Sequence, residues 1–332
     1  MSSSTILHSS YRAPAQSRLE SAIGVDLGGT HLRVVRLDKQ GEILDHRRIR
    51  TAARDGPTAV IDQICALADE VRAAAPSNTV AGMGVCVAGP VDPNAGIVLE
   101  AWTMVGWHDV PLQSLLEDRT GLPVVLANDG NAAALGEWRF GSGRGSRHFI
   151  YVTVSTGIGG GVIVDGRLLL GRKGMAGELG HMIVDPKGPL CNCGAFGCWE
   201  AFASGTALAL RAFEAQATEP YSLLHQWAQE RPLTAKEVID AARLDDALAQ
   251  HLVHDEGEWL GIGLTALLHL YSPERIAIGG GLSNALSLFL PQIEHEIHMR
   301  AMPPFRDVPI VQAALGDNAG VVGAGALAFG GS

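Results

Sequence analysis

Apolar positions come in short runs at the start of the chain. Residues 23–26 and 32–37 read as strands flanking the tight turn Leu27-Gly28-Gly29-Thr30, a β-hairpin; after a second turn at 39–42, residues 43–49 return as a third strand. The period then becomes helical. Val60, Ile61, Ile64, Leu67, Ala68 and Val71 recur at i, i+3, i+4 and i+7 spacing, which predicts a helix opened by Pro57 and ended by Pro76. Residues 80–88 read as a buried strand running into Gly89-Pro90, 112–119 as a short helix, and 124–127 as a strand whose end delivers Asn128-Asp129. A helical stretch from Ala132 leads to the basic turn Gly141-Ser142-Gly143-Arg144-Gly145, which reads as a domain junction.

The second half opens as the first does, with a strand at 149–154, a Gly/Thr-rich turn at 155–161 and a strand at 162–164. A mostly helical stretch over 201–271, a strand at 275–278, a glycine turn at 279–281 and a closing small-residue helix over 319–329 complete the pattern. Two α/β lobes, each opening with a hairpin suited to phosphate, imply a cleft between them.

Composition narrows the classes. A length of 332 residues fits two domains, and 41 glycines are about 12% of the chain against a usual ~7%. No Gly-x-y period or low-complexity run accompanies them, so these glycines belong to turns, close contacts or ligand loops. The net charge of −10 disfavours a broad nucleic-acid or anionic-membrane footprint while leaving room for a local cationic pocket. Neither a signal-peptide stretch at the start nor an apolar run of about 18 residues is present, and a soluble cytoplasmic protein is expected. Five cysteines argue against a disulfide framework, and three of them, Cys191, Cys193 and Cys198, crowd into eight residues.

Several patterns carry chemistry. Asp26-x-Gly28-Gly29-Thr30 sets a carboxylate at a strand end beside two glycines, which let backbone N–H groups approach an anion, and a hydroxyl donor. Asp26 could hold Mg²⁺ through water; an ordinary hairpin turn is the plainer alternative. Ser155-Thr156-Gly157-Ile158-Gly159-Gly160-Gly161 offers the same chemistry again, and neither turn closes with the Gly-Lys-Ser/Thr of a Walker loop. Asp129 sits where a sheet of this kind places functional carboxylates, with a helix cap as the alternative. His181 with Cys191, Cys193 and Cys198 matches a closed Cys₃His zinc site, which leaves no open position for water and reads as architectural. Such a site would bring Glu178 and Glu200, otherwise surface glutamates, together as acceptors for sugar hydroxyls. Gly279-Gly280-Gly281 could admit an adenine or ribose against the backbone, or form a plain turn. Cys65 and Cys86 read as packed core residues.

With these motifs in place, the sequence resembles the ROK family of sugar kinases and repressors. The resemblance rests on Asp26 to Thr30, Asn128-Asp129, Thr156 to Gly161, Glu178-Leu179-Gly180-His181 and the block CNCGAFGCWE ending at Glu200. It implies an α/β, two-lobed actin-like (ribonuclease-H-like) ATPase fold with a nucleotide and sugar cleft. Residues 21–130 with 316–332 would form the small lobe, 131–315 the large lobe with the zinc, and 1–20 a flexible tail. It implies ATP, Mg²⁺ and structural Zn²⁺ as cofactors. Asp129 would be the general base for a hexose 6-hydroxyl; Gly89, Thr103, Asn128, Glu178, His181 and Glu200 would bind the sugar. Asp26, Gly28, Gly29, Thr30, Thr156, Gly157, Gly280 and Gly281 would bind ATP. Ala127 and Thr103 depart from the common glucokinase pattern, which usually has glutamate and asparagine there. Glucose is the expected substrate, with N-acetylmannosamine as the alternative. The family's repressors carry an N-terminal helix-turn-helix; only about 20 residues precede the first hairpin here, and the charge opposes DNA binding. The resemblance further implies a homodimer or a tetramer of dimers, with neither nucleic acid nor membrane as a partner.

Overall fold

The computed structural model describes residues 20–75 and 79–330. Residues 1–19 of the expected tail over 1–20, the helix stop at Pro76 and the last two residues of the expected small lobe lie outside the described residues. Glu20, placed in the tail by the sequence, instead donates its N–H to Thr79 O at 2.8 Å.

β1 (Ser21–Leu27), β2 (His31–Asp38) and β3 (Ile43–Arg50) form the expected antiparallel meander. α1 (Gly56–Ala73) follows and buries every apolar position that predicted it. β4 (Val80–Val87) runs parallel to β1, and after a small sheet of β5 (Val91–Asp92), β6 (Ile97–Glu100) and β7 (His108–Val110) come α2 (Leu112–Thr120) and β8 (Val124–Asn128), parallel to β4. α3 (Asp129–Phe140) leads to β9 (Phe149–Val154), β10 (Ile158–Val164) and β11 (Arg167–Leu168). Five helices then follow: α4 (Trp199–Ala203), α5 (Gly205–Ala215), α6 (Leu223–Ala228), α7 (Ala235–Arg243) and α8 (Ala247–Tyr271). β12 (Arg275–Gly279), α9 (Leu286–Arg300), β13 (Ile310–Gln312) and α10 (Ala319–Leu327) end the described chain.

The two large sheets have the same build. One is ordered β3-β2-β1-β4-β8 and the other β11-β10-β9-β12-β13, so each is an antiparallel three-strand meander extended by two parallel strands. α1 packs on one face of the first sheet and α10 on the other; α3 packs on the second sheet, whose opposite face is covered by α4, α5 and α8. α3 and α10 therefore lie against each other between the sheets. Glu137 in α3 is fully buried and braces this layer. Its carboxylate accepts from Ser142 N–H (2.9 Å), Ser142 Oγ (2.7 Å), Ala314 N–H (3.0 Å) and Leu315 N–H (2.6 Å), tying the turn at 141–145 to the segment entering α10.

The glycine excess serves this layer. Gly323 of α10 faces the Ala132 carbonyl of α3, and Gly84 of β4 faces the Ala324 carbonyl, each so closely that a Cβ would overlap backbone. At Gly320, by contrast, a Cβ would meet Cys86 Sγ at an ordinary 3.6 Å. Gly323→Ala is therefore expected to destabilise the protein by about 1–3 kcal/mol or more through overpacking, despite alanine's better helix propensity, while Gly320→Ala is neutral or stabilising. Thermal unfolding of the two variants side by side checks this; equal midpoints would refute it.

Four expectations are corrected. The second turn covers only residues 155–157, because β10 begins at Ile158 and Gly159 to Gly161 pair with β9. Gly160 and Gly161 are strand residues: the missing Cβ of Gly161 lets Asn131 and Ala134 of α3 pack against it, and that of Gly130 in α3 lets the helix approach the Gly160 backbone. α3 begins at Asp129, three residues earlier than expected. Its cap is Asn128 rather than Asp129, with Asn128 Oδ1 accepting from Gly130 N–H at 2.9 Å and Asn131 N–H at 3.4 Å. Finally, the stretch between 281 and 319, to which the sequence reading assigns no element, contains α9 and β13. Among the described residues, no helix is long and apolar enough to cross a membrane.

Candidate active site

The turn between β1 and β2 closes when Gly28 donates its N–H to His31 O at 3.1 Å, and Thr51 Oγ1 donates to Gly28 O at 2.7 Å. The loop bearing Thr103 seats directly on Gly29, in space that a Cβ would fill. At the end of β8, Asn128 uses its amide nitrogen to donate to Gly89 O at 3.1 Å. Gly89 has φ of +139°, a conformation glycine adopts readily, so Asn128 and Gly89 join the ends of β8 and β4.

A cavity of about 510 Å³ opens over these ends. Of the expected residues, Asp26, Gly28, Gly29, Thr30, Asp129 and Gly280 line it, together with His31, Arg33, Arg48, Tyr151, Thr153 and Asp317, which no sequence motif singled out. Asp129 opens onto this space while protein hems in its carboxyl. Burial pushes it up to about 6, and the negative charges of Asp26 and Glu178 push the same way, against the stabilising N–H of Gly130 at 2.9 Å. Asp26 Oδ2 accepts from Arg33 Nε at 2.9 Å and from a terminal guanidinium nitrogen, while Arg33 also donates to Asp317 O at 2.6 Å. Cys86, fully buried as expected, places its Sγ 3.6 Å from Asp26 Oδ1.

The second turn faces a different pocket. Ser155 donates its N–H to Gly157 O at 2.9 Å; Gly205 N–H and Thr206 Oγ1 at the start of α5 donate to Ser155 O (2.7 Å) and Thr156 O (2.8 Å). Ser155 and Thr156 line a space of about 370 Å³ with Thr206, Lys236 and Leu282, next to which Gly281 sits. Thr156 and Gly157 thus do not line the larger cavity.

His181 ends the 3-10 turn Leu179–His181, directly after Glu178. Its ligand atom and those of Cys191, Cys193 and Cys198 lie within 4.8 Å of one another. Cys193 Sγ and Cys198 Sγ are 3.6 Å apart, and Cys191 Sγ is 3.7 Å from His181 Nδ1. Zn–S bonds of about 2.3 Å in a tetrahedron require S···S edges of about 3.8 Å, so the donor set fits the ion. Glu200, in the first turn of α4, accepts from Ile158 N–H at 2.9 Å with Oε2 and leaves Oε1 3.7 Å from Cys191 Sγ. It fastens the cysteine knuckle to the second turn.

Paired meander sheets around a cavity that joins a glycine turn to a carboxylate define the actin-like ATPase class. Within it, the chain belongs to the ROK family, whose sequence model matches residues 22–330. It is 38% identical to a glucokinase of Streptomyces coelicolor over 92% of this chain and 96% of that protein. It is 33% identical to a putative xylose repressor of Caldicellulosiruptor sp., over 92% of this chain and 77% of that one. Its fold matches the crystal structure of a ROK glucokinase from Streptomyces griseus in complex with glucose and AMPPNP at a TM-score of 0.77 and 37% identity, covering 94% of this chain and all of that one.

Proposed function

We propose that the protein is an ATP-dependent hexokinase that phosphorylates glucose at the 6-hydroxyl. The observation that carries this reading is Asp129, a carboxylate with an elevated pKa of about 6, set in the same cavity as the Asp26-to-Thr30 turn. A base of that strength is ionised at neutral pH and poised to accept a proton. Asp129 takes the proton from the sugar's 6-hydroxyl as that oxygen bonds to the γ-phosphorus; the bond from phosphorus to the β,γ-bridging oxygen breaks and ADP leaves with its electron pair. Such transfer depends chiefly on positioning and charge stabilisation, so a single modest base suffices.

In this reading Gly28, Gly29, Thr30 and Gly280 hold the phosphates, and the pocket beside Thr156, Gly157 and Gly281 has room for the nucleoside. Asn128, Gly89, Thr103, Glu178, His181 and Glu200 frame the sugar, with His181 Nδ1 turned to the cysteines and Nε2 free for a hydroxyl. Asp26 and Asp129 repel each other across the cavity, and among the described residues the hydrogen-bond partner of Asp26 Oδ1 is the Cys86 thiol, an arrangement that suits a divalent cation. Mg²⁺ bound there with ATP would screen phosphate charge. Zn²⁺ held by His181, Cys191, Cys193 and Cys198 would be structural. The reading takes residues 21–130 with 316–332 and residues 131–315 as the two lobes. It carries a cytoplasmic location and a homodimer or tetramer of dimers with it.

A coupled ADP-release assay across glucose, mannose, fructose, N-acetylglucosamine and N-acetylmannosamine tests the substrate. Glucose is expected to give the highest kcat/KM. A higher value on N-acetylmannosamine would replace glucose, and no sugar-dependent ADP release would remove the kinase reading.

A further inference from the structure

The antiparallel register of β2 and β3 sets Arg33 directly opposite Arg48. Like charges opposite each other across a strand pair are destabilising; the neighbouring Arg47, which stands opposite Val34, is itself joined to Asp45 and to Glu70. Arg33 is also compensated, by Asp26. Arg48 is exposed, and among the described residues it has no carboxylate within ion-pairing distance, although its chain carries a net charge of −10. Both Arg33 and Arg48 line the cavity that holds the Gly28–Gly29 turn, and Arg48 also lines a second hollow of about 410 Å³ next to it, shared with His46 and Asp317. An uncompensated guanidinium, held beside another at the mouth of a glycine-lined cavity, is complementary to a multiply charged phosphate chain.

We propose that Arg48 is a binding residue for the phosphate chain of the donor, acting beside Arg33 as an extension of the glycine turn. Arg33 stays committed to Asp26, and Arg48 supplies the free donors. The recognised chemistry is a linear phosphoanhydride, whether it is the triphosphate of a nucleotide or an inorganic chain. The role in catalysis rests on the kinase reading, but the binding claim does not.

Calorimetric titration of the full chain with inorganic tripolyphosphate, ATP and adenosine separates these sources. Arg48→Ala is expected to weaken tripolyphosphate and ATP at least tenfold and leave adenosine unchanged, with partial recovery in Arg48→Lys. Arg47→Ala, which removes an equal but paired charge, should leave all three within about twofold. In turnover, Arg48→Ala should raise KM for ATP and spare KM for the sugar. Loss confined to ATP, with tripolyphosphate unmoved or unbound by the wild type, overturns the proposal, as does equal loss in Arg47→Ala. Arg48-dependent tripolyphosphate binding in a protein that phosphorylates no sugar would sustain this site and refute the kinase reading.

Discussion

Asp129→Asn lowers kcat by about 10²–10⁴-fold, the contribution expected of a positioned general base. The substitution preserves size and retains an oxygen to accept the Gly130 N–H, now at 2.9 Å, so α3 keeps its first turn and glucose its affinity. The wild type adds an independent signature. Its carboxyl stands at about 6 against an ordinary 3.8 because burial and the charges of Asp26 and Glu178 disfavour the ionised form. The ionised form is the working base, so kcat/KM falls tenfold per pH unit below about pH 6, where a solvated aspartate would hold activity for about two units more. Steady-state kinetics from pH 4.5 to 8 with unchanged glucose affinity by titration check both statements. A near-normal kcat in the asparagine variant removes Asp129 as the base.

Cys193→Ser releases about one zinc per chain and raises KM for the sugar strongly, or costs soluble protein altogether. Cys193 is the exposed member of the cluster, so its loss opens the tetrahedron without carving a cavity in the core. The consequence reaches the sugar side through two connections. His181 would lose the ion that orients its ring, and Glu200, which holds Ile158 N–H, would lose the knuckle that fixes α4. Elemental analysis of protein purified without chelator is the check on wild type and variant together. A wild type free of zinc refutes the Cys₃His assignment.

Much of this was legible in the sequence because it is local. Two-strand hairpins announce themselves by apolar runs around glycine turns, and one imidazole with three thiols inside 18 residues is a donor set that suits a metal ion better than a packed core. The parts that were not legible depend on residues far apart. Gly159, Gly160 and Gly161 read as a turn by composition, yet serve as strand positions, and the bare backbone of Gly160 and Gly161 accepts α3. β5, β6 and β7 are two to four residues long, too short for any period to show. α9 does carry a helical spacing in Leu286, Phe289, Ile293 and Ile297, but Pro291 interrupts it. The cap is Asn128, one position before the Asp129 that the sequence offered, a difference that pattern cannot resolve. Arg33 and Arg48 lie on alternating polar positions of two strands; only the register, which shifts between Arg36 and Leu37, sets them opposite each other.

The repeated sheet explains why the cavity lies where it does. Each meander ends its first two strands in a turn, and α3 and α10 fill the layer between the sheets, so the first turn, Asp129 at the head of α3 and Gly280 after β12 converge on one space.

The most direct test follows phosphorus. ³¹P spectra of glucose and Mg·ATP incubated with the enzyme should show a sugar 6-phosphate and ADP appearing in equal amounts, and neither with Asp129→Asn. ADP with free phosphate and no sugar ester, or a sugar ester formed equally well by the variant, would contradict the account.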